Sequence, residues 1–98
     1  MSIQNQSDLS TWSYLTNHFY VLLCLFRDPH MRLREVAVVV GITERAVQRI
    51  VSELETDGVL TRVKTGRRNS YSIDRSASSR SPVIAERTVG EMLEFLGN

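Results

Sequence analysis

The chain is poor in cysteine and proline and contains no long run of apolar residues. One cysteine, Cys24, in 98 residues excludes an intramolecular disulfide framework and fits a reducing compartment, so we expect a cytoplasmic protein. The stretch Tyr20–Phe26 is apolar but too short to span a bilayer. Residues 1–11 are polar and show no export signal, which predicts a flexible terminus. We expect no membrane partner.

The motifs of common catalytic and cofactor sites are also missing. The sequence has no phosphate-binding glycine loop, no nucleophile elbow and no HExxH motif. Cys24, His18 and His30 could suggest a metal sensor, but six residues separate Cys24 from His18, which puts them on different faces of a helix. No paired spacing typical of a zinc site occurs. We therefore expect no enzyme, no metal and no cofactor, with Cys24 as a buried structural thiol.

Basic residues are unevenly distributed along the chain. The formal net charge is only +1, yet residues Thr61–Arg80 contain six basic side chains and a single acidic one, Asp74. The local charge, rather than the total, sets the field that a phosphate backbone meets. This segment therefore favours contact with a nucleic acid.

Residues Leu33–Ser52 predict two short helices joined by a tight turn. Ala37 is small enough for two helices to approach closely, and Gly41 can adopt the left-handed conformation that ends a helix. Ile42 can pack beneath the bend. Thr43 is a suitable N-cap for the second helix.

The second of these helices has two distinct faces. Apolar residues at helical spacing form one face: Val47, Ile50, Val51 and Leu54. The other face is short, polar and cationic: Arg45, Gln48, Arg49 and Ser52. Because arginine can donate two hydrogen bonds to guanine and glutamine can pair with adenine, this second face is suited to reading base edges.

In these features the sequence resembles the helix-turn-helix family of DNA-binding domains. A basic hairpin downstream narrows the resemblance to the winged form, as in small MarR-like and ArsR-like bacterial and archaeal regulators. The resemblance covers roughly Thr16–Asp74. It implies a mainly α fold with a small β-hairpin (α+β), in which a three-helix core carries a wing and a C-terminal helix.

The order of elements can also be predicted. We expect a first helix from Thr16 to Arg27, a short strand at Met31–Leu33 and an end to the second motif helix near Thr56. The wing should pair Leu60–Lys64 with Asn69–Asp74. Its predicted inward side chains are Val63, Tyr71 and Ile73. The last helix should begin near Pro82, with Ser81 as its cap.

These elements suggest a division of the chain. The winged domain should occupy residues 12–74, a polar linker residues 75–82, and a C-terminal helix for dimerisation residues 83–98. That helix carries an apolar stripe: Ala85, Val89, Met92, Leu93 and Leu96.

The resemblance implies two groups of DNA-contacting residues. The recognition helix in the major groove would use Thr43, Glu44, Arg45, Gln48, Arg49 and Ser52. The wing and the adjoining backbone contacts would use Arg34, Arg62, Lys64, Arg67, Arg68 and Asn69. The alternative for both groups is an ordinary solvated helix face and a polar turn.

The first helix is apolar nearly all round, which predicts a two-fold interface with the last helix. The residues expected there are Trp12, Leu15, Phe19, Leu22, Val89, Met92, Leu93 and Leu96. Alternatively, the two helices could pack on each other within one chain and leave a monomer.

Two functions fit these observations. The first is a sequence-specific transcriptional regulator that binds double-stranded DNA as a homodimer. The alternative is a winged-helix module for protein interaction or dimerisation without DNA binding. The MarR-like resemblance also implies a possible small apolar effector in the dimer crevice between the first helix and the wing.

Overall fold

A computed structural model describes residues 13–84 and 86–97, so Trp12 and Ala85 lie outside the described residues. The elements follow in the order α1 (Asn17–Arg27), α2 (Leu33–Val40), α3 (Glu44–Thr56), β1 (Leu60–Thr65), β2 (Arg68–Ile73) and α4 (Val89–Gly97). The described chain therefore forms the α+β winged helix that the sequence predicted, with four helices and a two-stranded antiparallel hairpin.

Local hydrogen bonds fix the predicted start and end of α1. Thr16 Oγ1 accepts a hydrogen bond from the backbone N–H of Phe19 at 3.2 Å. At the other end, the N–H of Asp28 donates to the carbonyl of Cys24 at 2.9 Å, and Pro29 follows. The helix therefore ends just before the proline, as predicted.

The turn between α2 and α3 also has the predicted construction. Gly41 has a φ of +87° and donates its N–H to the carbonyl of Ala37 at 2.8 Å. Thr43 Oγ1 accepts from the N–H of Ala46 at 3.0 Å, which caps α3. The glycine redirects the chain within one residue, and the threonine starts the next helix in a fixed orientation.

The core lies beneath α3, where three helices and the base of the hairpin meet. The four residues predicted for the inner face of α3 are all buried: Val47, Ile50, Val51 and Leu54. They pack with Val21 and Leu25 of α1 and with Val36 of α2. Because this packing takes up the apolar stripe of α3, its polar stripe is left on the surface.

The wing is a hairpin with a two-residue turn. Its register pairs Leu60 with Ile73 and Thr65 with Arg68, so Gly66 and Arg67 form the tip. Gly66 has a φ of +63°, which glycine adopts at little cost. The base is anchored to the body, since Tyr71 donates its N–H to the carbonyl of Pro29 at 3.0 Å.

Two predictions about this region were wrong. Met31–Leu33 forms no strand; instead Leu33 begins α2, where the N–H of Arg32 donates to Glu35 Oε1 at 2.9 Å in the first turn. Val63 does not face inward, because the hairpin projects beyond the body there and leaves this residue 44% exposed. Tyr71 is buried and Ile73 is half-buried, as predicted.

The predicted start of the last helix was also wrong. Helix α4 begins at Val89 rather than near Pro82. Ser81 Oγ accepts a hydrogen bond from the backbone N–H of Val83 in a bend and caps no helix. The cap is Thr88, whose Oγ1 accepts from the N–H of Glu91 at 3.1 Å, while its own N–H donates to Glu91 Oε1 at 2.9 Å. This reciprocal pair is a capping box.

The segment predicted as a polar linker is held by backbone hydrogen bonds. The N–H groups of Val89 and Gly90 donate to the carbonyls of Ala77 and Arg75, at 2.8 and 2.9 Å. A Cβ on Gly90 would lie only 2.5 Å from the Cβ of Arg75, so glycine permits this close approach. The segment therefore fixes where α4 begins.

Helices α1 and α4 pack on each other within one chain. Leu93 is fully buried between them, and the Arg27 guanidinium donates to the carbonyls of Leu96 and Gly97, both at 3.3 Å. This contact covers much of the apolar surface of α1. The intramolecular alternative described above therefore accounts for most of that surface.

The predicted dimer interface needs correction for the same reason. Four of its residues are buried in the core of a single chain, so a second chain cannot cover them: Phe19, Leu22, Val89 and Leu93. Leu15 and Met92 are half-buried and Leu96 is exposed. Trp12 lies outside the described residues.

Within residues 13–84 and 86–97, no helix is long and apolar enough to cross a membrane. In the same residues, no three His, Cys, Asp or Glu side chains are placed to hold a metal ion. Cys24 is a free, half-buried thiol rather than a fully buried one, and its partial burial raises its pKa.

Candidate nucleic-acid interface

All six residues predicted for the recognition helix are exposed. Thr43 is the N-cap of α3, and four of the others lie in two rows along the helix. Glu44 and Gln48 form one row, in which Gln48 Nε2 donates to Glu44 Oε2 at 3.4 Å. Arg45 and Arg49 begin the other row, which continues to Glu53 near α1. The first row faces the wing and the second ends at Glu53 beside α1, so the helix presents a broad polar surface.

A groove of about 680 Å³ separates the start of α3 from the wing. Its polar walls come from three places in the chain: Glu44 and Gln48 on α3, Arg62, Arg67, Arg68 and Asn69 on the wing, and His30 and Arg32 before α2. Four arginines thus surround a groove whose lining holds a single carboxylate. Of the predicted recognition-helix residues, the fold brings Glu44 and Gln48 to this groove together with the predicted wing residues Arg62, Arg67, Arg68 and Asn69. Other predicted residues do not line it: Arg34, Thr43, Arg45, Arg49, Ser52 and Lys64.

Half of the twelve basic side chains have no hydrogen-bond or ion-pair partner among the described residues. These six are Arg32, Arg34, Arg45, Lys64, Arg67 and Arg68. They come from the start of α2, from α3 and from the wing. Their charges are therefore available to an external anion.

The other six basic side chains are engaged within the chain. Five form ion pairs with carboxylates: Arg49 with Glu53, Arg62 with Glu55, Arg75 with Glu94, Arg80 with Asp57, and Arg87 with Glu91. The sixth, Arg27, binds the carbonyls at the end of α4. Thus Arg75 and Arg80, which the sequence placed in the same basic segment as the wing, are paired elsewhere.

Arg62 differs from the other predicted wing residues. Its Nε lies 3.3 Å from Glu55 Oε2, and its guanidinium lies 5.7 Å from the centre of the Tyr71 ring. These contacts hold the base of β1 against the end of α3. Arg62 therefore orients the wing, while Lys64, Arg67 and Arg68 extend beyond it without partners in the described chain.

Sequence reasoning missed two residues next to this surface, His18 and Glu53. Arg32, a basic residue immediately before α2, also lines the groove. His18 and Glu53 contact each other and adjoin Arg49. Because 35 residues separate His18 from Glu53, no local pattern could have shown their contact. Ser52, which was predicted, lies instead near Asp57 and Arg80, away from the wing groove.

A second cavity, of about 810 Å³, lies on the other side of α3. Apolar residues of α1, α3 and α4 form much of its wall, including Phe19, Leu22, Leu54 and Met92, and residues 78–81 form its rim. One chain is enough to build it. Its lining contains no residue of the wing, whereas the expected crevice lay between the first helix and the wing of a dimer.

Residues 16–61 match the family profile described as winged helix-turn-helix DNA-binding. The matched segment comprises α1, α2, α3 and the first two residues of β1, just under half of the chain. Neither the curated proteins nor the solved structures gave a match. The match supports DNA as a partner of this chain. It ends at Thr61, so the wing is identified from its position in the fold.

Proposed function

We propose that this protein is a sequence-specific DNA-binding transcriptional regulator that acts as a homodimer. In this proposal α3 enters the major groove and the wing follows the flanking backbone. The observation that supports it most is that the basic side chains fall into two sets, one paired within the chain and one without partners among the described residues. The unpartnered set adjoins the wing groove and α3, on the segment that matches a DNA-binding family and on the hairpin after it.

The separation favours DNA for an energetic reason. An arginine that already pairs with a carboxylate must exchange that partner for a phosphate, which reduces the net gain. Arg67, Arg68 and Lys64 have no such partner to exchange. Each phosphate that they neutralise also releases condensed counterions, which drives binding at low salt.

The start of α3 supports the same proposal. Thr43 accepts the hydrogen bond from Ala46 through its oxygen, so its own hydroxyl hydrogen remains able to donate to a phosphate. The N-terminus of the helix adds a partial positive charge. We therefore assign Thr43 to the backbone, and Arg45, Gln48 and Arg49 to base edges.

The two kinds of contact can be tested separately by DNA-binding titrations against a selected site and a random duplex. Arg45→Ala should cost about 1–3 kcal/mol on the selected site and relax the preference at one base pair. Arg67→Ala should weaken all duplexes alike and make the salt dependence shallower.

Arg87→Ala is the matched control, because it removes the same charge from a residue that is paired with Glu91 away from the groove. It should leave both measurements near those of the wild type. If Arg45→Ala and Arg67→Ala bind like the control, the assigned roles are wrong. Absence of binding to any duplex at low salt would favour the protein-interaction alternative.

The homodimer in this proposal uses the outer face of α4. Met92, Phe95 and Leu96 lie one turn apart on this helix, and Phe95 is 85% exposed. Sedimentation equilibrium of the wild type should give twice the mass of the chain, and Phe95→Glu should give the single mass. Val38→Glu, at an equally exposed valine on α2, should remain a dimer. A monomeric wild type would contradict this part.

The cavity of about 810 Å³ is the position that we propose for a small apolar effector, because apolar side chains dominate its wall. A dye that fluoresces in apolar surroundings should bind the wild type, and Ile84→Glu at the edge of the cavity should reduce its fluorescence. Equal fluorescence in both proteins would contradict this position.

A further inference from the structure

Three side chains form a chain of contacts from α1 to the DNA-facing row of α3. His18 Nε2 lies 2.7 Å from Glu53 Oε1, and Arg49 Nη1 lies 3.3 and 3.2 Å from the two carboxylate oxygens of Glu53. Since an ionised carboxylate can only accept, His18 carries its proton on Nε2 in this contact. All three side chains are surface groups, between 44 and 61% exposed.

We propose that Glu53, held in place by His18, is a positioning residue that orients Arg49 to read a guanine. This inference rests on the proposed DNA-binding function and extends it to two residues that touch no DNA in the proposal. Its basis is the part of Arg49 that Glu53 leaves uncovered.

Glu53 occupies only one end of the Arg49 guanidinium. Both of its hydrogen bonds come from Nη1, while Nε and Nη2 have no partner among the described residues. Nε–H and Nη2–H form the side-on pair of donors, whose spacing suits the O6 and N7 acceptors of guanine. The carboxylate can therefore keep its hold on the side chain while the opposite edge binds a base.

Arg45 provides a comparison within the same row. It lies one turn before Arg49 and has no partner in the described chain, so it must lose its full side-chain freedom when it binds. Arg49 is already restrained by a second residue. Restraint before binding lowers the entropic cost of forming the complex, provided that the restrained geometry is the bound one.

His18 explains why this restraint is more than an ordinary pair on a helix surface. A single glutamate–arginine pair four residues apart on a helix restrains the arginine only weakly, because both side chains are long and mobile. Here the contact with α1 fixes the carboxylate from a different element. The hydrogen bond from His18 lowers the pKa of Glu53, and the bond from Arg49 lowers it further, so the carboxylate stays ionised at neutral pH.

The test uses the full chain and a duplex site selected by the wild type from random sequences. Discrimination at each base pair is measured by changing one pair at a time for Arg49→Ala, Glu53→Ala and the double variant. Arg49→Ala identifies the base pair that Arg49 reads. Glu53→Ala should lose about three- to tenfold of the discrimination at that same pair, a fraction of the range for a bidentate contact.

The double variant separates positioning from an independent effect. If Glu53 acts through Arg49, the double variant should discriminate no worse than Arg49→Ala alone. Binding to random duplex should be unchanged or tighter in Glu53→Ala, since a negative charge has been removed. His18→Ala should reduce discrimination at the same base pair. His18→Gln, which keeps a donor at a similar position, should restore that discrimination.

Glu94→Gln is the control, because it neutralises an exposed carboxylate paired with Arg75, far from α3. It should leave the base profile unchanged. Glu53→Ala with unchanged or sharper discrimination would overturn the inference, the sharper result meaning that Glu53 sequesters Arg49. If the wild type itself discriminated at no base pair and preferred no site, the proposed function would be overturned instead.

Discussion

At the scale of single residues, the sequence predicts contacts between neighbours and misses contacts between distant residues. Thr16, Gly41 and Thr43 act on atoms three or four positions away, so their roles could be predicted from residue type and spacing. Gly90 could not be understood in this way. Its contact is Arg75, fifteen positions earlier, and only the fold brings the two together.

Gly90→Ala tests this contact, because a glycine-to-alanine change in a helix usually stabilises a protein, whereas here we expect it to destabilise the fold. Alanine within a helix normally stabilises a protein by about 0.5–1 kcal/mol relative to glycine. Here the new Cβ would meet Arg75 Cβ at 2.5 Å and the Arg75 carbonyl oxygen at 2.8 Å. We expect a loss of about 1–3 kcal/mol in the free energy of unfolding, measured by denaturant titration. A gain in stability would contradict the close packing.

At the scale of elements, helices α1, α2 and α3 and the hairpin were predictable because their periodicity and end signals agree. The start of α4 was not, because two signals compete. Ser81–Pro82 looks like a helix start, but backbone bonds from Val89 and Gly90 to residues 75 and 77 favour the later Thr88 start. The Thr–x–x–Glu pattern at Thr88–Glu91 was available in the sequence and was overlooked.

The cap of α4 gives a prediction about stability and pH. The bond from the backbone N–H of Thr88 lowers the pKa of Glu91 below that of the unfolded chain. A lowered pKa means that the stabilisation is present at neutral pH and is lost as the pH falls through the folded value. The wild type should therefore lose more stability on acidification than Glu91→Gln, as measured by thermal unfolding over a pH series. Parallel curves would show that the charge of Glu91 contributes nothing to stability.

At the scale of the whole molecule, the sequence supplies the number of charges and the fold supplies their partners. Arg62 and Arg80 belong to the same basic segment as Arg67 and Arg68. In the fold, however, Arg62 and Arg80 pair with Glu55 and Asp57 near the end of α3. These pairs connect residues from separate elements, so no count along the sequence could have identified which arginines remain available. The same holds for α1, since only the fold shows that α4 covers much of its apolar surface.

We propose that the unpartnered basic side chains form the surface that binds DNA. The salt dependence of wild-type binding to random duplex, followed by fluorescence anisotropy, is the decisive measurement. Arg32, Arg34, Lys64, Arg67 and Arg68 would contact phosphates, while Arg45 would read a base. Five phosphate contacts per chain predict that log K falls against log salt concentration with a slope of about −4 to −5 per bound chain. A slope near zero, or no binding at low salt, would contradict the claim.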